Sequence, residues 1–285
     1  MYVIKASGER EKFMPNKLKR TCLRAGAPPD LANKIVREVS KRAYDGITTK
    51  EILKMTLFML HKDQPDVAAK YDLKGALMRL GPAGFAFEKL FAEILKEYGY
   101  ETRVHQYIQG ECVRHEIDIV AVKPIKSIPE LPQPHLKYYQ IENKYHNAPG
   151  IFTGVKDVLY TYARFLDLQG GFKKGLCQRF DQCWLACNTK FSTDAIEYAN
   201  CKGMKLTGWR FPTDASLETM IEEKKLYPIT VLRSLDKDSQ TKMASAGLML
   251  CKDLIKRDFD KLVEMTKISP KKMRTMIDEI EKIIT

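Results

Sequence analysis

The chain has 285 residues, 44% of them hydrophobic and 29% charged, and a formal net charge of +12. Such a composition, with no apolar run long enough to cross a bilayer, argues against a helical membrane protein, and the length implies two or three domains. The positive surplus implies a polyanionic partner, of which nucleic acid is the commonest.

No lipidation motif or strongly basic amphipathic helix favours an acidic membrane surface instead. Tyr2-Val3-Ile4-Lys5 runs straight into charged residues, so no signal peptide is expected. The seven cysteines include Cys177, Cys183, Cys187 and Cys201 in one region, without a Cys-x-x-Cys pair. Cys183 and Cys187 flank an apolar strand-like run, which reads as buried thiols rather than zinc ligands. A reduced, cytoplasmic protein is expected.

The first segment, residues 1–80, opens with a short charged hairpin turning at Ser7-Gly8. Helical spacing follows, with Leu18, Cys22 and Leu23 on one face and Leu31, Ile35 and Val39 on the next. Thr48 and Glu51 form a capping-box signature ahead of Ile52, Met55, Leu57 and Met59. The punctuation in "RLGPAGFAFE" (79–88) marks a boundary.

The second segment, 81–213, alternates helix and strand. Phe87, Leu90, Phe91, Ile94 and Leu95 give a helix its apolar stripe. Strands are expected at "TRVHQYI", "EIDIVAV", "KYYQIENKY", "QCWLACNT" and "MKLTGWRF", with helices at "FTGVKDVLYTYARFL" and "STDAIEYANCKG". The third segment, 214–285, reads as short helices joined by tight turns, with "PTDASLETMIEEKK" as linker or helix and "YPITVLRSLD" as one of the helices. The expected fold class is therefore α/β (α+β) and multidomain, a mixed sheet flanked by helices between two mainly helical parts.

Residues two apart on a strand share a face, so Gln140, Glu142 and Lys144 point one way and Asp118 shares an otherwise apolar face with Val120 and Val122. An unpaired carboxylate there is costly. If the two strands are neighbours, Asp118, Glu142 and Lys144 converge. Two carboxylates make a hard oxygen site for Mg²⁺ or Mn²⁺, an ion that lowers the pKa of a water and stabilises charge on a phosphoryl oxygen. Lys144 would orient the nucleophile and offset developing negative charge. The plain alternative is a structural Glu142–Lys144 ion pair on an exposed edge.

A helix carrying Glu88, a strand, a strand with Asp118, a strand with Glu142-x-Lys144 and a helix resembles the PD-(D/E)xK restriction-endonuclease-like superfamily, most closely its Mrr-type and archaeal Holliday-junction-resolvase branch. That resemblance implies metal binding and catalysis by Asp118, Glu142 and Lys144, a metal role for Glu88, and an approach of the Asn143 backbone carbonyl to the metal. The chain departs from the pattern in a long proline-rich connection, "PIKSIPELPQPH", and in lacking a glutamine on the following helix, where Lys156, Tyr160 or Arg164 stands instead. Glu88 also suits a helix start on dipole grounds alone. His115 and His146 beside the strands read as phosphate contacts or surface residues.

"VIKASGEREKFMPNK", "DGITTKEI" and "DQPDVAAKY" resemble the ATP-cone, a nucleotide-sensing module. The resemblance implies that Val3, Lys5, Glu11 and Lys17 contact ATP or dATP, with Lys5 and Lys17 neutralising phosphate; Ala6 departs from the usual second basic residue. "LVEMTKISPKKMRTMIDEI" resembles a degenerate helix-hairpin-helix, with Lys267, Lys271, Lys272 and Arg274 as DNA contacts and no hairpin glycine. The expectation is a Mg²⁺- or Mn²⁺-dependent DNA endonuclease responsive to nucleotide, working as a possible homodimer. A non-catalytic DNA-binding regulator is the alternative, and a nucleotidase fits the charge and the tail less well.

Overall fold

The structure is a computed structural model and describes residues 1–5, 8–81, 84–125, 135–148 and 150–284. Ala6 and Ser7 of the expected hairpin turn, Pro82 of the expected boundary and 126–134 of the proline-rich connection lie outside the described residues. The chain forms two compact units, Met1–Ala76 with Tyr227–Thr285, and Leu77–Leu226.

The first unit begins with β1 (Tyr2–Ile4), β2 (Arg10–Lys12), α1 (Pro15–Arg24), α2 (Pro29–Arg42), β3 (Ile47–Thr48), α3 (Thr49–Asp63) and α4 (Pro65–Tyr71). Prolines open α1, α2 and α4, where a missing N–H costs nothing. The Thr48–Glu51 capping box is present and starts α3. Leu18, Cys22, Ile35, Val39 and Leu60 form the core here, with Leu31 and Ile52 partly buried against it. Leu23, expected on the buried face, instead turns toward solvent at 37% exposure. Leu18 and Cys22, four apart, already fill the narrow contact of α1 with α2.

After α5 (Leu73–Met78), the second unit holds α6 (Phe85–Glu97), β4 (Glu101–Gln109), β5 (Arg114–Ile125), β6 (His135–Lys144), β7 (Phe152–Thr153), α7 (Val155–Lys173), β8 (Gln182–Cys187), β9 (Lys190–Phe191), α8 (Thr193–Cys201), β10 (Lys205–Thr207) and α9 (Leu217–Glu223). The main sheet runs β10-β8-β6-β5-β4. β4, β5 and β6 are antiparallel neighbours, while β6, β8 and β10 are parallel. Both parallel crossovers pass through helices, α7 and then α8.

Both faces of this sheet are covered, which is why β8 is an apolar run rather than an alternating one. Trp184 meets Phe91 of α6 edge-on at 5.6 Å on one face. Cys183, Leu185 and Cys187 meet Val158 of α7 and Ala195 of α8 on the other, and Cys183 and Cys187 are buried free thiols. Residues 214–226, assigned on pattern to the helical tail, lie in this unit. Ser216 caps α9, and the Tyr98 hydroxyl ties it down by donating to Met220 O (3.1 Å) and Glu223 (2.8 Å).

The rest of the first unit is a 3₁₀ turn (Ile229–Val231), α10 (Lys237–Ser245), α11 (Cys251–Ile255), α12 (Phe259–Thr266) and α13 (Pro270–Ile284). The helix expected at "YPITVLRSLD" is only that turn, because Pro228 and Leu232 on either side are extended. Met273, Met276, Ile280 and Ile283 form the buried stripe of α13, which packs on α4 and α11.

Gly171 of α7 lies against the β4–β5 turn, where an added methyl would sit 2.9–3.0 Å from backbone atoms of Gln109 and Gly110. Replacing it with alanine is expected to destabilise the fold by about 1–3 kcal/mol despite alanine's better helix propensity. A lowered urea midpoint for Gly171→Ala checks this.

Candidate active site

The register of the antiparallel strands builds the site. Ile119 pairs with Ile141, so one step on Asp118 of β5 stands opposite Glu142 of β6. On the other edge of β5, Val104 pairs with Ile119 and Gln106 with Ile117, which sets His105 opposite Asp118. His105, Asp118 and Glu142 thus form one row across three strands. His105 has φ +51°, a left-handed conformation that a non-glycine residue keeps only when its surroundings enforce it.

The flanking helices add to this row. Glu88, in the first turn of α6, brings Oε2 within 3.0 Å of His105 Nε2. The approach is close enough for an ion pair but misaligned for a hydrogen bond, leaving both atoms buried without a directional partner. His105 Nδ1 lies 3.3 Å from Glu116. From α7, Arg164 forms an ion pair with Glu142 and lies 4.7 Å over the Tyr160 ring. Asp118 Oδ2 accepts the Asn143 backbone N–H at 2.7 Å. Asn143 and Gln140 each bury both ends of a side-chain amide without a hydrogen-bond partner.

Lys144 shares the face of Glu142, but its ammonium pairs with Asp157 at the start of α7 (2.9 Å) and remains half-exposed. The expected convergence is therefore tight for Asp118 and Glu142 and looser for Lys144. His115 and His146 make structural contacts, to Asp167 (2.7 Å) and Thr153 (3.0 Å). Asp167 also accepts the Cys112 N–H (2.8 Å), clasping the β4–β5 turn to α7.

Electrostatics favour the protonated form at all three acids. Burial first and then the Asp118 charge raise Glu88 to about 7, with His105 opposing. Burial likewise raises Asp118 and Glu142, the Asp118 charge adds to the shift of Glu142, and Arg164 opposes in both. The site therefore holds more buried negative charge than the protein itself neutralises.

Among the described residues, no group of three or more His, Cys, Asp or Glu side chains is spaced to hold a metal ion. The facing pair Asp118 and Glu142 nonetheless fits a hard divalent cation of the Mg²⁺ class, which keeps several waters and takes one or two protein carboxylates plus phosphate oxygens. Glu88 Oε2, buried without a hydrogen bond, adds a third carboxylate to the neighbourhood without completing a three-acid metal site.

In the first unit, Val3 of β1 pairs with Glu11 of β2. Glu11 bridges Lys5 (3.1 Å) and Lys17 (2.9 Å), and those two lysines, Lys17 before Lys5, hold its carboxyl below its usual range. A cavity of about 190 Å³ is lined by Val3, Glu11 and Lys17 with Phe13, Thr49 and Tyr71, while Lys5 stands outside that lining. A larger cavity of about 330 Å³ between α2 and α3 shares none of these residues.

In the tail, Lys267 caps α12 with φ +54°, the conformation for which a hairpin glycine would be chosen. Lys267 and Lys271 are exposed. Lys272 is ion-paired with Asp236, and Arg274 lies 5.3 Å over the Phe259 ring, so these two also serve internal packing. Sequence patterning missed His105, which nothing in β4 distinguishes from its polar neighbours, and Asp157 as the partner of Lys144.

Residues 1–73 match the family model of the ATP cone domain, and 227–284 match that of AF1548-like, C-terminal. An uncharacterised protein of Archaeoglobus fulgidus is 42% identical over 193 residues, covering 68% of this chain and 99% of the relative. A crystal structure of the protein of unknown function AF1548 aligns with TM-score 0.57 and 40% identity, over 71% of this chain and 98% of that one. The N-terminal segment is thus an ATP-cone, which suggests nucleotide binding and nucleotide-responsive regulation. No helix among the described residues is long and apolar enough to cross a membrane.

A carboxyl whose folded pKa is raised destabilises the fold as pH climbs from its ordinary range through the raised value, because the folded state holds the proton longer. Glu88→Gln removes that burden. It is expected to be more stable than wild type by about 1–3 kcal/mol at pH 8 and to show no such gain at pH 4. Urea unfolding at the two pH values checks both parts.

Proposed function

We propose that this chain, which belongs to the AF1548-like family, is a divalent-metal-dependent DNA endonuclease whose activity responds to a nucleotide on its ATP-cone. The observation that carries the reading is the pair of buried carboxylates, Asp118 and Glu142, opposed across β5 and β6 with Lys144 on the same face. The net charge of +12 fits a nucleic-acid partner.

Asp118 and Glu142 would hold Mg²⁺ or Mn²⁺, with water and phosphate oxygens completing its shell. When bound, such an ion lowers the pKa of a water and stabilises charge on a phosphoryl oxygen. The protein's own groups do the rest. Arg164 fixes the rotamer of Glu142. Asn143 N–H fixes Asp118. Glu88, whose pKa is raised to about 7, would act as the proton acceptor for an attacking water and not as a metal ligand. Lys144, half-exposed at the rim, offsets negative charge developing at the phosphate.

ATP or dATP would be held by Val3, Lys5, Glu11 and Lys17. The Glu11 carboxylate that bridges the two lysines would give way to phosphate oxygens. Lys267 and Lys271, with Lys272 and Arg274 behind them, would supply positive field to the DNA backbone. One cleavage site per chain makes a homodimer the economical arrangement for cutting both strands.

A second reading, a non-catalytic nucleotide-responsive DNA-binding regulator, is favoured by one observation. Lys144 and Glu142 each already have an internal partner, Asp157 and Arg164.

Purified protein is expected to nick supercoiled plasmid with Mg²⁺ or Mn²⁺, with a rate altered by ATP. Glu142→Gln and Lys144→Ala are each expected to lower the rate at least about a hundredfold, the scale of losing a transition-state charge contact. Plasmid that is bound but intact with either metal would favour the regulator. Calorimetric titration with ATP is expected to show about 10- to 100-fold weaker binding in Lys17→Ala, the loss of one charge-assisted contact.

A further inference from the structure

A second charged cluster lies in the sheet unit, and the carboxylate row makes no use of it. Lys123 of β5 is paired in register with Lys137 of β6, a like-charge pair directly across an antiparallel ladder. Such a pair is unfavourable unless something lies between the charges. Lys205 of β10 adds a third ammonium. Its Nζ lies 3.6 Å from the Trp184 ring centroid, while Lys123 lies 4.5 Å over Tyr100 and Lys137 5.4 Å over Tyr139. The three rings pack edge-on or tilted against one another at 5.3–5.9 Å.

Each ring compensates its own ammonium, but none relieves the repulsion among the three. Burial first, and then the charges of Lys123 and Lys137, push Lys205 down to about 8. The cluster's hydrogen bonds run to neutral groups, Lys137 to Gln182 Oε1 (3.3 Å) and Lys205 to the Tyr100 hydroxyl (3.5 Å).

A cavity of about 110 Å³ opens at this point, lined by Tyr100, Lys123, Trp184, Lys205 and Thr207, with Asp214 and Glu223 also on its wall. It is well below the ~300–1,000 Å³ of pockets that enclose a whole small molecule. It suits one tetrahedral oxyanion, the rest of any larger ligand staying outside. Lys123 is five residues along β5 from Asp118, about 17 Å at strand rise, and alternation sets it on the opposite face.

We propose that this lysine–aromatic pocket is a second anion site, separate from the carboxylate row and from the ATP-cone, that takes a phosphate group between Lys123 and Lys205, with Lys137 beside Lys123 adding positive charge from outside the cavity wall. The phosphate can come as the free ion, on a mononucleotide or at the 5′ end of a nucleic acid. An oxyanion there gives the mutually repelling ammonium groups a shared counter-charge, Lys123 and Lys205 by contact and Lys137 through its field. The site stands whether or not the carboxylate row cleaves DNA.

The test uses the full chain and its tryptophan emission. Both tryptophans, Trp184 and Trp209, lie in the sheet unit, so phosphate at the ATP-cone has no local reporter. Inorganic phosphate, AMP, and oligothymidylate with either a 5′-phosphate or a 5′-hydroxyl are titrated at pH 7. A saturable change is expected with phosphate. Lys123→Gln and Lys205→Gln are expected to raise its half-saturation at least tenfold, and Lys123→Arg to restore it. Lys173→Gln, at the exposed end of α7, serves as the charge control and keeps the wild-type response.

Tighter binding of the 5′-phosphorylated oligonucleotide than of its 5′-hydroxyl form assigns the site to nucleic-acid ends. Tighter binding of AMP than of either oligonucleotide assigns it to mononucleotides, and equal responses to every phosphate source assign it to the free ion. No saturable change in wild type, or an equal change in both glutamine variants, overturns the proposal. Circular dichroism of each variant confirms that the fold is retained.

Discussion

Two carboxylates facing each other across a buried ladder are the constraint on which the sheet unit turns. Asp118 and Glu142 are neighbours because Ile119 pairs with Ile141, and that register is held by packing on both faces of the sheet. A slip of one residue in either strand would send its acid to the opposite face and break the packing that Ile117, Ile119 and Ile141 make on theirs. The hydrophobic pattern thus enforces an electrostatic arrangement that is unfavourable in itself. Burial raises the pKa of both acids and the Asp118 charge adds to the rise of Glu142, and the stability lost there is supplied by the isoleucines alongside.

The covering helices supply what the strands leave out. α6 is driven onto one face by Phe87, Leu90, Phe91, Ile94 and Leu95, and its first turn carries Glu88 to His105. α7 is driven onto the other by Val158 and Leu168, and it carries Arg164 to Glu142 and Asp157 to Lys144. Opposite charges therefore reach the row from one helix only. On the α6 side, a glutamate with an unaligned imidazole adds to the negative charge. That asymmetry leaves a place for a small, strongly charged cation and distinguishes the row from a set of satisfied ion pairs.

Charge is distributed differently in the other unit. In the ATP-cone, one glutamate is shared by two lysines on a small sheet edge, so the lysines are held in position at little cost and remain exchangeable by an anion. In the tail, Lys267 keeps a left-handed backbone where glycine would be easier, so its exposed side chain stays at the tip of the turn between α12 and α13. Family membership shows where the ATP-cone lies. The chemistry of the sheet unit rests on the carboxylates themselves.

Much of this was legible in the chain. The capping box at Thr48, the apolar stripe of α6, the alternation of β5 and β6, and the oddity of Asp118 on an apolar face all follow from local periodicity and local chemistry. Those signals singled out Asp118, Glu142 and Lys144 as a converging set, while a metal role for Glu88 came only from the resemblance to the restriction-endonuclease-like pattern. Local sequence could not say which strand lies beside which, since pairing is a long-range choice among compatible edges. His105, Asp157 and the particular role of Arg164 were therefore decided only by the tertiary structure, which brings β4 against β5 and α7 across β6. The opposition of Lys123 to Lys137 was hidden for the same reason: each is ordinary on its own strand, and only the register makes them a pair.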